Sequence, residues 1–108
     1  MLLEGKHSRI RSREVLAKTL QTLVAALEDR AVDMSAVIIK TAMAISGNKS
    51  GRMDTPEEVA QDTVGALMEA VPASVPGIVF LSGGQTADQA TRNLAAITKE
   101  ARAQRAPW

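Results

Sequence analysis

A chain of 108 residues makes at most one domain, and a domain of this size buries only about two-thirds of the surface its unfolded chain exposes. Apolar residues make up 45% of it and charged residues 23%, globular values that argue against a disordered or low-complexity chain. Thirteen Lys and Arg against twelve Asp and Glu leave a formal charge of +1, so no global field draws in nucleic acid or an anionic membrane.

Having no cysteine and the single histidine His7, the chain lacks disulfides, thiolate sites and any histidine cluster for a metal. Its apolar runs fall well short of the ~20 residues that cross a bilayer, and Met1-Leu2-Leu3 runs at once into Glu4 and Lys6. The expectation is a soluble, cytoplasmic chain. Phe80 and Trp108 are the only aromatics, too few to form the stacking platforms of single-strand nucleic-acid binders.

In chain order, Ile10, Val15, Leu16, Leu20, Leu23, Val24 and Leu27 recur at helical spacing and predict an amphipathic helix over about Ser8 to Arg30. Met34-Ser35-Ala36-Val37-Ile38-Ile39-Lys40 has β-branched residues and no helical period, the pattern of a strand buried on both faces. Thr41 to Asp54 is a connection of about fourteen residues with Gly47, Asn48, Ser50 and Gly51, a length that is usually functional or mobile. Thr55, Pro56 and Glu58 then spell a capping box with proline at the first helical position, opening a helix that runs to about Ala70. After the breakers Pro72, Pro76 and Gly77, the run Gly77-Ile78-Val79-Phe80-Leu81 predicts a second apolar strand closed by a Gly-Gly turn. Thr86 and Gln89 repeat the capping-box spacing, and the last helix, with Ala90, Leu94, Ala95 and Ile97 inside, ends near Arg102.

The order helix, strand, helix, strand, helix implies βαβ crossovers and a parallel sheet, hence an α/β fold. Strands near Ser35–Lys40 and Ile78–Ser82 should lie side by side. Two strands with three helices leave open edges and little-covered sheet, so the chain reads as part of something larger.

Ligands of parallel sheets sit at the carboxyl ends of the strands, where Lys40 and the run Ser82-Gly83-Gly84 both fall. A lysine among buried apolar residues loses hydration of its ammonium form, which frees an amine able to attack a carbonyl. A solvated lysine marking where the strand meets water is the plainer alternative, and spacing by itself favours it. Glycines let a backbone approach closely, and the amides ahead of the Thr86-capped helix are suited to phosphate. The plainer reading of Ser82-Gly83-Gly84 is an ordinary tight turn. Lys6, His7, Arg9, Arg11 and Arg13 read as a solvated helix start. Glu57 and Glu58 stabilise a helix macrodipole, and Met34, Met43, Met53 and Met68 serve as core or loop packing.

The string Ala36-Val37-Ile38-Ile39-Lys40-Thr41-Ala42-Met43 resembles the strand around the Schiff-base lysine of class I fructose-bisphosphate aldolases. Thr55-Pro56-Glu57-Glu58-Val59-Ala60, then the run from Val71 through Ser82-Gly83-Gly84-Gln85, are similar to the family's next helix and strand in the same order. Ala90-Thr91 and Asn93-Leu94 continue the match, and Leu2-Leu3-Glu4-Gly5-Lys6-His7 resembles the segment after the family's fifth strand. Thr41 and Ala42 after the lysine follow the bacterial pattern, where animal enzymes carry proline and asparagine.

The resemblance implies a partial (β/α)8 TIM barrel. Residues 1–108 would be one segment of it, about the sixth and seventh strand-helix units with the preceding helix, roughly a third of the enzyme, since a (β/α)8 barrel typically takes about 250 residues. It implies reversible cleavage of fructose 1,6-bisphosphate to dihydroxyacetone phosphate and glyceraldehyde 3-phosphate, in glycolysis and gluconeogenesis, with Lys40 forming the iminium and no metal or other cofactor. Ser82 and Gly83 would hold the ketose phosphate, with Gly84 supporting the turn. The family's acid/base glutamate, second active-site lysine, aspartate and last phosphate-binding arginine would lie outside the chain, which stops at Trp108 just short of that arginine, so a truncated gene or fragment is the expectation. Two alternatives stand beside this reading: a class I aldolase for another phosphorylated ketose, and a catalytically inactive barrel fragment serving as an interaction module. Open strand edges favour association with copies of itself or with the rest of a barrel.

Overall fold

A computed structural model describes residues 4–108; Leu2 and Leu3 of the opening resemblance lie outside the described residues. Helix α1 (Arg9–Asp29) starts where the Ser8 hydroxyl accepts from Arg11 N–H, satisfying one of the unpaired amides of a helix start. It buries Leu16, Ala17, Leu20 and Val24, one stripe at the predicted spacing. Just past its end, Ala31 with φ of 56° turns the chain so that Val32 N–H returns to the Leu27 carbonyl.

Strand β1 is shorter than expected, Ile38–Thr41. Met34–Ala36, assigned above to the strand, is a single 3-10 turn. The cause is Asp33, whose carboxylate accepts from both the main-chain N–H and the hydroxyl of Ser35 and offers the backbone a local alternative to the sheet. Helix α2 (Pro56–Ala70) starts as read: Thr55 and Glu58 form both bonds of the capping box, with proline at the first position. Strand β2 (Gly77–Phe80) and helix α3 (Ala87–Ala103) follow, the latter with a second capping box from Thr86 and Gln89.

The strands are parallel and adjacent, Ile39 against Ile78 and Thr41 against Phe80. Helix α2 packs on both α1 and α3. Ile39 is buried with Leu16, Leu20, Leu67 and Val75, and Ile78 and Phe80 pack against the same cluster, so the helices cover one face of the sheet. The other face is open, with Ile38 at 68% exposure, Val79 at 49% and Leu81 at 39%. β1 alternates exposed and buried residues, which corrects the expectation of a strand buried on both faces: the described helices all lie on one side. Among the methionines, Met34 and Met43 are buried while Met53 and Met68 are exposed.

Candidate active site

Lys40 stands on the open face of β1 and is exposed. Its neighbours there are set by register: Ile38 two residues back, Val79 directly opposite, and Leu81 beyond. The amine therefore rises from an apolar patch, and apolar patches on a protein surface mark places that something else covers. Within the described residues the ammonium reaches water, so the desolvation expected from the strand pattern is not present in these residues taken by themselves.

The second candidate sits at the same end of the sheet. Leu81 N–H donates to the Thr41 carbonyl at 3.0 Å, extending the pairing one step past β2. The chain then turns through Ser82, Gly83 and Gly84, closed by Gln85 N–H donating to the Ser82 carbonyl at 3.1 Å. Gly83 and Gly84 have φ of 62° and 97°, the left-handed region where a side chain is strained, so the glycines are what the turn requires. No acceptor among the described residues meets the main-chain N–H groups of Ser82, Gly83 or Gly84. Free amides in a glycine turn leading into a helix start are the arrangement that suits a phosphate.

Sequence reasoning missed what holds these two places. Gln85 donates from its side chain to the Ser82 carbonyl at 2.8 Å, lies 3.5 Å from the Met43 sulfur, and accepts from buried Asn93 at 2.6 Å. The quoted strings contained Gln85, Asn93 and Met43, but nothing in their spacing joined them.

The long connection after β1 is fastened, not loose. Ala44 N–H donates to the buried Thr63 hydroxyl, and Ser46 gives both its N–H and its hydroxyl to the Asp54 carboxylate at 2.7 and 2.8 Å. Gly47 N–H donates to the His7 carbonyl. A Cβ at position 47 would meet the Gly5 carbonyl oxygen at 2.3 Å, so only glycine fits there.

The basic cluster also needs correction. Arg9 is not a solvated helix start: its side chain is 14% exposed and pairs with Asp54, Glu58 and Asp62. Arg13 joins at Asp62, and Arg52 at Asp54 and Glu58. Burial opposes the Arg9 charge, yet the hydrogen bonds it donates to Asp62 and Asp54 outweigh it and hold the guanidinium above its ordinary pKa. Glu58 is held below the usual carboxylate range, first by the Thr55 N–H and then by the Arg9 and Arg52 charges. A cleft of about 450 Å³ runs between this connection and the start of α3, lined by Asn48, Arg52, Gly84, Gln85 and Arg92 among others.

The family model described as "Glycolytic: Fructose-bisphosphate aldolase class-I" matches residues 1–108. A "Probable fructose-bisphosphate aldolase class 1" of Xanthomonas axonopodis pv. citri is 43% identical over 94 residues, covering 87% of this chain and 28% of that protein. "Fructose-bisphosphate aldolase 6, cytosolic" of Arabidopsis thaliana is 39% identical over 99 residues, covering 92% of this chain and 27% of its own. Among solved structures, a ternary co-crystal structure of Plasmodium falciparum fructose-bisphosphate aldolase with TRAP and a small-molecule inhibitor superposes with a TM-score of 0.86 at 34% identity, over 89% of this chain and 28% of that one. The chain thus spans under a third of the length of the relatives it matches, and its α/β architecture is part of a TIM barrel.

Proposed function

The chain belongs to the class-I fructose-bisphosphate aldolase family, and on that premise we propose that Lys40 is the amine that forms a Schiff base with a phosphorylated ketose and that Ser82, Gly83 and Gly84 hold its phosphate. The substrate of this reading is fructose 1,6-bisphosphate, cleaved reversibly to dihydroxyacetone phosphate and glyceraldehyde 3-phosphate. One observation carries it: a lysine and a turn with unpaired amides stand at the same end of two adjacent parallel strands.

The amine adds to the ketone carbon, the resulting carbinolamine loses water, and the iminium draws electrons from the neighbouring carbon–carbon bond as it breaks. The phosphate turn supplies orientation, which brings the ketone within reach of Nζ. Proton transfer during cleavage requires a positioned acid/base group, and this reading gives residues 1–108 only the amine and the turn. They form one segment of the barrel, about its sixth and seventh strand-helix units with the helix before them. The open face around Lys40 is then covered by the remaining barrel or by a further copy of the chain. A cytoplasmic setting belongs to the same reading, supported by a relative named cytosolic; no helix among the described residues is long and apolar enough to cross a membrane.

Borohydride reduction in the presence of dihydroxyacetone phosphate, followed by peptide mass analysis, tests the proposal. The expected result is an adduct at Lys40 that Lys40→Ala abolishes. Equal labelling of Lys18, Lys49 and Lys99 would reduce the finding to generic amine reactivity and sink the assignment.

A further inference from the structure

The Ser82 carbonyl has two donors, the main-chain N–H of Gln85 and its side-chain amide. A tight turn needs only the first. The second is kept in place from behind, because Asn93 donates to the Gln85 side-chain oxygen at 2.6 Å and so leaves the Gln85 NH2 to face Ser82. Asn93 is buried on α3 and cannot easily turn away.

No peptide bond among the described residues is cis. In a trans planar peptide the C=O and the following N–H point in opposite directions. Whatever fixes the Ser82 carbonyl therefore fixes the Gly83 N–H on the other side of the turn, facing away from Gln85. That N–H is one of the three without an acceptor among the described residues. Gly83, on one side of this peptide plane, offers little steric resistance to its rotation. A half-turn would withdraw the N–H and present the negative end of a carbonyl to an arriving anion.

We infer that Gln85, oriented by Asn93, is a positioning residue that locks the Ser82–Gly83 peptide with its N–H aimed at the phosphate of the ligand. The inference rests on the reading of this turn as the phosphate site. It adds to that reading a reason why the turn needs a glutamine after its glycines, and it assigns α3 a part in binding through Asn93.

The test compares two ketones that differ only in the phosphate, dihydroxyacetone phosphate and dihydroxyacetone. For each, the concentration giving half-maximal borohydride trapping at Lys40 is measured in the unaltered chain and in Gln85→Met, which keeps the side-chain length and removes the donor. The phosphorylated ketone should need about tenfold more in the variant, the scale of one hydrogen bond made to a charged group, while the unphosphorylated ketone is unchanged. Asn93→Ala should act in the same direction with smaller size, and it carries the test if Gln85→Met does not fold. An equal loss for both ketones, or an unchanged preference for the phosphate, would overturn the positioning role and leave the phosphate turn standing. No preference for the phosphorylated ketone in the unaltered chain would instead remove the phosphate turn itself, and the inference with it.

Discussion

The two strand-to-helix units do one job with different chemistry. After β1, fourteen residues lead into α2, and charges fasten them: Asp54 binds Ser46 and Arg9, Arg9 reaches Glu58 and Asp62, and Glu58 closes the capping box. After β2, six residues lead into α3, and neutral amides fasten them: Gln85 and Asn93 hold the turn, and Gln89 closes the capping box. Length accounts for the difference. A short connection closes on its own backbone, whereas a long one must be tied to distant elements, and the guanidinium of Arg9 is long enough, with enough donors, to gather carboxylates from three places. Identical helix starts can therefore be made sensitive or indifferent to pH by the choice of Glu or Gln at a single position.

The sharpest way to break this comparison is to remove one anchor from each unit. Asp54→Ala should destabilise the chain by about 3 kcal/mol, since it leaves the largely buried Arg9 short of a partner and strips Ser46 of two bonds. The neutral counterpart, Asn93→Ala, should cost about 1 kcal/mol. Urea denaturation measures both, and equal costs would mean that the charged clamp is not what holds the longer connection.

A smaller effect sharpens it. Thr55→Ala and Thr86→Ala should each cost about 1 kcal/mol, because each removes the same capping hydroxyl. The smallest separates the units by pH. Glu58 in the first unit, and Asp33 just ahead of it, have folded-state pKa values below their ordinary ones, through the Thr55 N–H and through the Ser35 hydroxyl and N–H respectively. A depressed carboxyl contributes stability that is present above its unfolded value and is lost as pH falls through its folded one. The penalty of Glu58→Ala should therefore shrink as pH drops below about 4, while that of Gln89→Ala stays level because Gln89 does not titrate. Parallel pH profiles for the two variants would erase the distinction.

Both helix starts after the strands were legible to the residue, because Thr55-Pro56 with Glu58 and Thr86 with Gln89 encode a local hydrogen-bond geometry. The shared location of Lys40 and Ser82-Gly83 was legible as well, since alternating strands and helices force a parallel sheet and its carboxyl ends to one side. What sequence could not reveal depends on distance along the chain. Arg9 looks like any exposed basic residue until folding brings in Asp54 and Asp62, 45 and 53 positions away. Gln85 meets Met43 across 42 positions. Nor do Ile38 and Ile39 differ in composition; one is open and one buried only because every described helix lies on the same side.

Trp108 is the only indole in the chain, and it lines a groove with Ile78, Phe80 and Ile97. Its Nε1 hydrogen is buried and has no hydrogen-bond partner among the described residues. An indole in such a setting emits toward the blue and shifts red when water reaches it, so intrinsic fluorescence watches the β2–α3 unit most directly. Circular dichroism, in contrast, is weighted toward all three helices. Coincident melting curves from the two signals would mean that the charged and the neutral units unfold as a single cooperative body. A gap between the curves would give each its own transition, with the tryptophan identifying which one opens first.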